Sequence, residues 1–171
     1  MKILAVQSRM GIGDTVIFLP FIKALSKKFN SPISILVKEN SKANQYLHQT
    51  KYIDKILTLE RDNKTNNRHG GFFGIFKLAN DLKKYKFDKI FIFNSSLRFN
   101  LVAKISGIPQ IYQYPLFAKN KQHIIEAPKK FLKENLNLDI NEDPEVQIDN
   151  DSISKAAQKF QIDKNLSLIH I

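Results

Sequence analysis

The chain of 171 residues contains no cysteine and no tryptophan, and it is poor in acidic residues. Without cysteine it can form no disulfide, no thiolate metal site and no cysteine nucleophile. No Ser-His-Asp set and no catalytic pair of carboxylates emerges from the sequence. Metal-ligand spacing is also missing among the four histidines, so we predict no metal site; they are His48, His69, His123 and His170.

Long apolar runs are missing as well. The run at residues 3–6 is interrupted by Gln7, Ser8 and Arg9, which excludes a secretory signal there. Nothing approaches the roughly 20 apolar residues of a membrane-spanning helix. The simplest assignment is a cytoplasmic protein, with peripheral contact at the inner face of the cytoplasmic membrane left open.

Charge and hydrophobic content indicate what the chain does contain. Twenty-seven basic residues against 16 acidic ones give a formal net charge of +11, which favours anionic partners such as phosphorylated sugars, anionic lipid or nucleic acid. A hydrophobic content of 43% argues against general disorder. At this length one domain with a sizeable core is expected.

The first 25 residues are the most informative segment. A continuous apolar run at residues 3–6 is typical of a strand covered on both faces in a parallel sheet. Gly11 and Gly13 then permit a tight loop, and Asp14 stands where an N-cap or first-turn residue would begin a helix. Pro20 lies inside the helical pattern that follows, so we expect a kink or a late helix start.

Apolar runs and helical patterns alternate along the chain, which predicts βαβ units around a parallel sheet. We therefore expect an α/β, Rossmann-like fold with helices on both faces of the sheet. The predicted strands are 2–7, 33–37, 55–59, 89–93 and 110–113. The predicted helices are 14–29, 41–48, 72–85, 96–106, 122–135 and 152–160. The polar, turn-rich stretch 61–71 is predicted to be an exposed loop, whose cations either are solvated or add positive potential near the strand ends.

Polar residues follow the fourth predicted strand directly. They are Asn94, Ser95, Ser96 and Arg98, and because parallel strands end at the same edge of a sheet, they should face the first loop. Ser95 or Ser96 can cap the next helix. Arg98 is either a solvated helix charge or a bidentate clamp for carboxylate or phosphate, and Arg9 is the second cation expected there.

The residues alone allow two interpretations of the segment Gly11–Asp14. A Gly-x-Gly could begin a dinucleotide fingerprint, with Glu39 as the ribose acid, but Val16 takes the place of the third glycine. Asp14 would also put a negative charge where the pyrophosphate should rest. In the second reading Asp14 only caps the helix.

A family resemblance adds a third interpretation of the same segment. The string GDTVIFLPFIKAL resembles the N-terminal signature of glycosyltransferase family 9, the lipopolysaccharide heptosyltransferases. SISILVKENSKANQYL resembles the family's second strand and the helix after it, and YIDKILTLE resembles its third strand. The stretch from GGFFGIF to SGIP resembles its long helix, fourth strand and Ser-Leu-Arg helix start. The resemblance covers most of residues 1–113 in order.

The resemblance implies one half of a two-domain, GT-B type inverting glycosyltransferase. Heptose would move from ADP-heptose to the anionic inner core of lipopolysaccharide, without a metal or another cofactor. Asp14 would be the general base, and Arg9, Gly13, Asn94, Ser95, Ser96 and Arg98 would bind the acceptor. His123 resembles a family position near the cleft, although a structural histidine fits that position as well.

The resemblance also divides the chain. Residues 1–163 would be the acceptor-binding domain, and residues 164–171 the start of a nucleotide-sugar-binding domain or a foreign tail. An isolated chain of this kind should transfer little sugar. Two other classes stay open, a nucleotide-dependent Rossmann oxidoreductase and a basic nucleic-acid-binding module, but scattered cations and phenylalanines in apolar patterns do not favour the latter.

Overall fold

A computed structural model describes residues 1–9, 11–61, 67–116, 124–148 and 150–160. It contains five strands, which all run parallel in one sheet. The strands are β1 (Ile3–Val6), β2 (Ile33–Lys38), β3 (Ile53–Leu59), β4 (Lys89–Ile92) and β5 (Gln110–Gln113). The helices are α1 (Ile12–Ile17), α2 (Leu19–Phe29), α3 (Ala43–Tyr46), α4 (Phe73–Lys83), α5 (Leu97–Ile105), α6 (Glu126–Leu136) and α7 (Asn150–Phe160), with a 3₁₀ turn at Glu39–Ser41.

The order of strands across the sheet is β3-β2-β1-β4-β5, with β1 at the centre. Alternate residues of β1 enter two different cores. Ile3 and Ala5 pack with α2 and α6 on one face, while Leu4 and Val6 pack with α4 and α5 on the other. The predicted Rossmann-like α/β fold with both faces covered is therefore confirmed.

The predicted helix at 14–29 is interrupted, as Pro20 led us to expect. Phe18 separates α1 from α2, and Pro20 takes one of the first two positions of α2, where its missing N–H leaves no helical hydrogen bond unmade. The predicted helix at 41–48 is shorter than expected, because the 3₁₀ turn and the left-handed Lys42 precede α3. The other predicted strands and helices agree with the structure to within a few residues where it describes them; residues 122 and 123 of the predicted helix 122–135 and residues 62–66 of the predicted loop lie outside the described residues.

The polar connection after α6 lies against α2. Glu142 pairs with Lys23 at 3.0 Å and with Lys27, which fastens this segment to the helix. α7 follows, and none of its residues is buried. Within the ranges that the structure describes, every helix is too short or too polar to cross a membrane.

Candidate functional site

The strand order creates a crevice between β1 and β4. From β1 the chain continues to β2, its neighbour toward one edge of the sheet. From β4 it continues to β5, its neighbour toward the opposite edge. At such a reversal the two following loops separate, and open α/β folds bind ligands there, beyond the carboxyl ends of the strands. All the site residues predicted from the sequence lie in these two loops or at the start of the helices that follow them.

Gln7 holds the first loop in shape. Its side chain is buried, with 3% of the residue exposed, directly after β1. The amide Nε2 donates to the carbonyl oxygen of Asp14 at 3.3 Å, and Oε1 accepts from the backbone N–H of Arg9 at 2.8 Å. One side chain thus contacts both ends of the segment that carries Arg9, Gly13 and Asp14, three of the predicted site residues. The sequence reading missed it, although a polar residue directly after a buried strand was a usable signal.

Asp14 lies in the first turn of α1, and Gly11 takes the N-cap position. The φ of Gly11 is 105°, in the left-handed region that favours glycine. No side chain caps α1, so the hypothesis that Asp14 serves as the N-cap is wrong, while the first-turn placement is confirmed. Among the described residues, no hydrogen bond or ion pair engages the half-buried Asp14 carboxylate. Gly13 beside it is exposed, and a Cβ there would meet nothing within 4 Å.

Asn94 joins the second loop to the first. Its Nδ2 donates to the Ser8 hydroxyl at 2.7 Å, and its Oδ1 accepts from the backbone N–H of Ser96 at 2.6 Å. Gln113, at the end of β5, donates to the carbonyl oxygens of Asn94 and Ser96, both at 2.9 Å. Ser96 is the N-cap of α5, where its hydroxyl accepts from the N–H of Arg98 at 3.3 Å. The carboxyl ends of β1, β4 and β5 are thus braced by one polar network.

A cavity of about 380 Å³ lies beside this network. Polar groups on its wall come from both loops and from α6, and three rings form an aromatic wall. The rings contact edge to face, with centroids 5.0 Å apart for Tyr114–Phe131 and 5.4 Å apart for Phe93–Phe131. The lining residues are Arg9, Phe93, Asn94, Ser95, Tyr114, Pro115, Ala127, Lys130, Phe131 and Glu134. Two cations and one acid surround a semi-apolar space.

Tyr114 is a site residue that the sequence reading missed. It follows β5 directly, as Asn94 comes soon after β4, so its position at the carboxyl edge was a usable signal. Burial raises the pKa of the Tyr114 phenol far above its usual range, and the positive charge of Arg9 opposes that shift only in part. The hydroxyl has no hydrogen-bond partner within the described parts of the chain. Tyr114 is therefore a neutral phenol whose donor is not used by any of the residues that the structure describes.

Removal of that hydroxyl should not destabilise the fold. Because a buried hydroxyl without a partner costs free energy, Tyr114→Phe should leave the free energy of unfolding unchanged or raise it by about 1 kcal/mol. Tyr114→Ala should lower it by about 3 kcal/mol, since the aromatic wall then loses a ring. Urea unfolding of the two variants measures both effects. A loss of more than about 1 kcal/mol in Tyr114→Phe would reveal a partner for the hydroxyl.

Arg98 does not line the cavity, as a clamp for a bound carboxylate or phosphate would have to. Its guanidinium donates to the carbonyl oxygen of Gly71 at 2.8 Å and to that of His69, in the segment that precedes α4. Neither Arg98 nor Ser96 lines the cavity. Gly74 allows this contact, because a Cβ there would come within 2.9 Å of an Arg98 nitrogen. The geometry favours a structural role for Arg98 in joining α5 to the start of α4.

His69 is buried, not solvated as the composition of its loop had indicated. The backbone N–H of Glu60 donates to its Nδ1 at 3.1 Å, so the ring proton is on Nε2. Nε2 lies 3.2 Å from Oδ2 of Asp81 and donates to it. Burial favours the neutral form of Asp81, but hydrogen bonds from His69 and Lys84 and the charge of Arg68 outweigh it, and together they lower the pKa of Asp81. This cluster anchors the segment that Arg98 holds.

Metal-binding clusters of three or more His, Cys, Asp or Glu side chains do not occur in the portion of the chain that the structure describes. His123 and His170 lie outside the described residues, so the predicted position of His123 near the cleft has no structural counterpart here.

The fold and the polar edge at its switch point define a Rossmann-like α/β unit with a polar crevice between β1 and β4. No family model matches the sequence, and no curated protein matches it. Solved structures do match. A glycosyl transferase family 9 protein from Veillonella parvula DSM 2008 aligns with a TM-score of 0.71 at 18% identity, over 94% of this chain and 49% of that one.

Two proteins from E. coli give similar results. The ADP-heptose lipopolysaccharide heptosyltransferase II aligns with a TM-score of 0.65 at 16% identity, over 96% of this chain and 52% of that one. The heptosyltransferase WaaC with ADP-2-deoxy-2-fluoro heptose aligns with a TM-score of 0.55 at 11% identity, over 83% and 50%. The resemblance to glycosyltransferase family 9 is therefore confirmed at the level of the fold. The chain spans about half the length of these structures.

Proposed function

We propose that this chain is the acceptor-binding half of an inverting glycosyltransferase of the heptosyltransferase type. The observation that carries the proposal is the convergence of Arg9, Asn94 and Ser95 on one cavity at the switch point between β1 and β4. The parent reaction would move heptose from ADP-heptose to a hydroxyl of the lipopolysaccharide inner core, at the cytoplasmic side of the membrane. Residues 1–163 would form the acceptor domain, and the nucleotide-sugar site would lie on the other half, which residues 164–171 would begin.

The charges and polar groups of the cavity suit an acidic sugar. Arg9 and Lys130 offer two cations to a phosphate or carboxylate, and Asn94 and Ser95 offer hydrogen bonds to sugar hydroxyls. The aromatic wall supplies the apolar surface that sugar rings contact. Gly13 leaves open space at the start of α1, so that a substrate can approach the backbone there. Ser96 and Arg98 would act through the loops that they hold.

Asp14 would take the proton of the acceptor hydroxyl. As its carboxylate oxygen accepts that proton, the acceptor oxygen forms a bond to the anomeric carbon of the donor, and the bond from that carbon to the phosphate of ADP breaks with its electron pair on ADP. Attack from the face opposite ADP inverts the anomeric centre. Closure of the second half over the crevice would exclude water from this step. Asp14 does not line the cavity itself; its half-buried position in the first turn of α1, directly after the loop that carries Arg9, supports the assignment.

The two alternative classes receive less support from the geometry. The carboxylate of Asp14 stands in the first turn of α1, where the pyrophosphate of a dinucleotide would have to rest. For nucleic acid, several cations are already paired with acids, among them Arg68 with Asp81 and Lys133 with Asp139. Most phenylalanines are buried in the two cores and cannot stack on bases.

Acceptor binding can be measured on this chain without a donor. A phosphorylated inner-core oligosaccharide should bind in isothermal titration calorimetry. Arg9→Met should weaken that binding by about tenfold or more, because a hydrogen bond to a charged group is lost. Lys28→Met is the matched control, since Lys28 is an exposed cation on α2, outside the cavity lining. Equal affinity for the wild type and Arg9→Met would contradict the proposed acceptor site.

A further inference from the structure

The outer side of α4 and α5 exposes a surface that the proposed function does not use. Phe72, Phe73 and Phe76 are 69%, 77% and 48% exposed at the start of α4. Leu97, Leu101 and Ile105 are exposed along α5 at intervals of four residues, on the side opposite its buried residues. We call these six residues the phenylalanine face. Large apolar side chains rarely gather on a surface without a partner.

The three phenyl rings form one cluster, and the two helices that carry the phenylalanine face are neighbours. Phe72 contacts Phe73 and Phe76 edge to face, with ring centroids 6.1 and 5.7 Å apart. The helices α4 and α5 pack side by side on the same face of the sheet. Arg98 additionally joins the start of α5 to Gly71, which precedes Phe72. The rings are therefore held at one end of a rigid two-helix layer.

Positive charge surrounds these rings. Lys77 and Lys83 on α4 and Lys104 on α5 are exposed beside the apolar residues. Asp81 is the one acidic residue in the sequence of the two helices, and it is paired with Arg68 and Lys84. Exposed apolar rings among lysines form the pattern by which amphipathic surfaces bind anionic bilayers.

We propose that the phenylalanine face docks on the surface of an anionic lipid bilayer. The phenyl rings enter the interface between headgroups and acyl chains, and the lysines contact lipid phosphates. A second copy of the chain is a poorer occupant, because both partners would bring the same basic surface to a two-fold contact. This proposal does not rest on the transferase activity, since it concerns a different surface.

Vesicle flotation tests the proposal with the 171-residue chain. The chain should bind vesicles of phosphatidylcholine that contain about a quarter phosphatidylglycerol, and should bind pure phosphatidylcholine more weakly. The pair Phe72→Ser and Phe73→Ser should weaken partition by about tenfold or more on both vesicles. The pair Lys77→Gln and Lys104→Gln should weaken it by about tenfold on anionic vesicles only. Circular dichroism should show an unchanged fold in each, since all four side chains are exposed.

Phe160→Ser is the matched control. Phe160 is 65% exposed on α7, which carries none of the residues of the phenylalanine face, so this variant should bind anionic vesicles like the wild type. Absence of vesicle binding would overturn the proposal, and so would equal losses in the control and in the phenylalanine pair. Dimerisation in sedimentation velocity that the phenylalanine pair abolishes would assign the face to a second copy of the chain and would also overturn it.

Discussion

Asp14→Asn should slow sugar transfer by about two to four orders of magnitude in a protein that carries both halves, because an amide cannot accept the acceptor proton. The fold should hardly change. Asp14 caps no helix N–H, so the variant loses only the favourable contact of a negative charge with the start of α1, worth about 0.3–1 kcal/mol. Single-turnover rates with saturating acceptor measure the chemical step, and thermal unfolding measures the fold.

Asp14→Ala provides the control. If the carboxylate were a structural cap, the alanine variant would lose about 1 kcal/mol and the asparagine variant little, since Asn and Asp cap about equally well. The observed geometry instead predicts that the two variants are equally stable and equally slow. An asparagine variant with the wild-type rate would remove Asp14 from the mechanism and leave the cavity as a binding site only.

Gly74→Ala should be among the most destabilising single-methyl changes in the chain. An added Cβ would lie 2.3 Å from the carbonyl carbon of His69 and 2.4 Å from its oxygen. Both atoms belong to the backbone, which Arg98 and the contacts of His69 hold in place, so the clash cannot be relieved by a rotamer change. We expect a loss of about 3 kcal/mol, despite the higher helix propensity of alanine. Urea unfolding measures it.

Gly13→Ala is the matched control for this change. Both glycines lie in the first turn of a helix, but a Cβ at Gly13 meets open space. That variant should be neutral or more stable by up to about 1 kcal/mol. Equal stability of Gly74→Ala and the wild type would show that the His69 segment can shift away from α4, contrary to the anchored arrangement described above. Weaker acceptor binding by Gly13→Ala would further support close approach of substrate at that glycine.

The fold could be predicted because its signals are local. Apolar runs of strand length, Pro20 and the serine before α5 all act within a few residues, and the structure places the elements accordingly. The candidate site was predictable only in part. Parallel topology alone puts Arg9, Asn94 and Ser95 at one edge, but the direction of a long side chain depends on the atoms around it. Arg98 reaches carbonyl groups 27 and 29 residues earlier in the chain, which no local pattern encodes.

The burial of individual polar side chains was also difficult to predict from the sequence. His69 lies in a loop of charged and small residues whose composition indicates solvent exposure, yet Glu60 and Asp81 satisfy both of its ring nitrogens. Gln7 offered one local signal, as a polar residue directly after a buried strand, but its sequence position did not indicate which backbone groups its amide would bind. Such roles depend on hydrogen bonds between residues that are far apart in the chain, and the partners can be identified only from the folded structure.

The contact between Ser8 and Asn94 has a consequence for the order of folding. It spans 86 residues, so the crevice exists only after β4 has paired with β1 across a large loop. Segments near the amino terminus can form β1, the first helices and β2 early, but a nascent chain that ends before β4 contains no complete crevice. The appearance of ligand affinity during synthesis or refolding would therefore mark completion of the central strand pairing, not the collapse that precedes it.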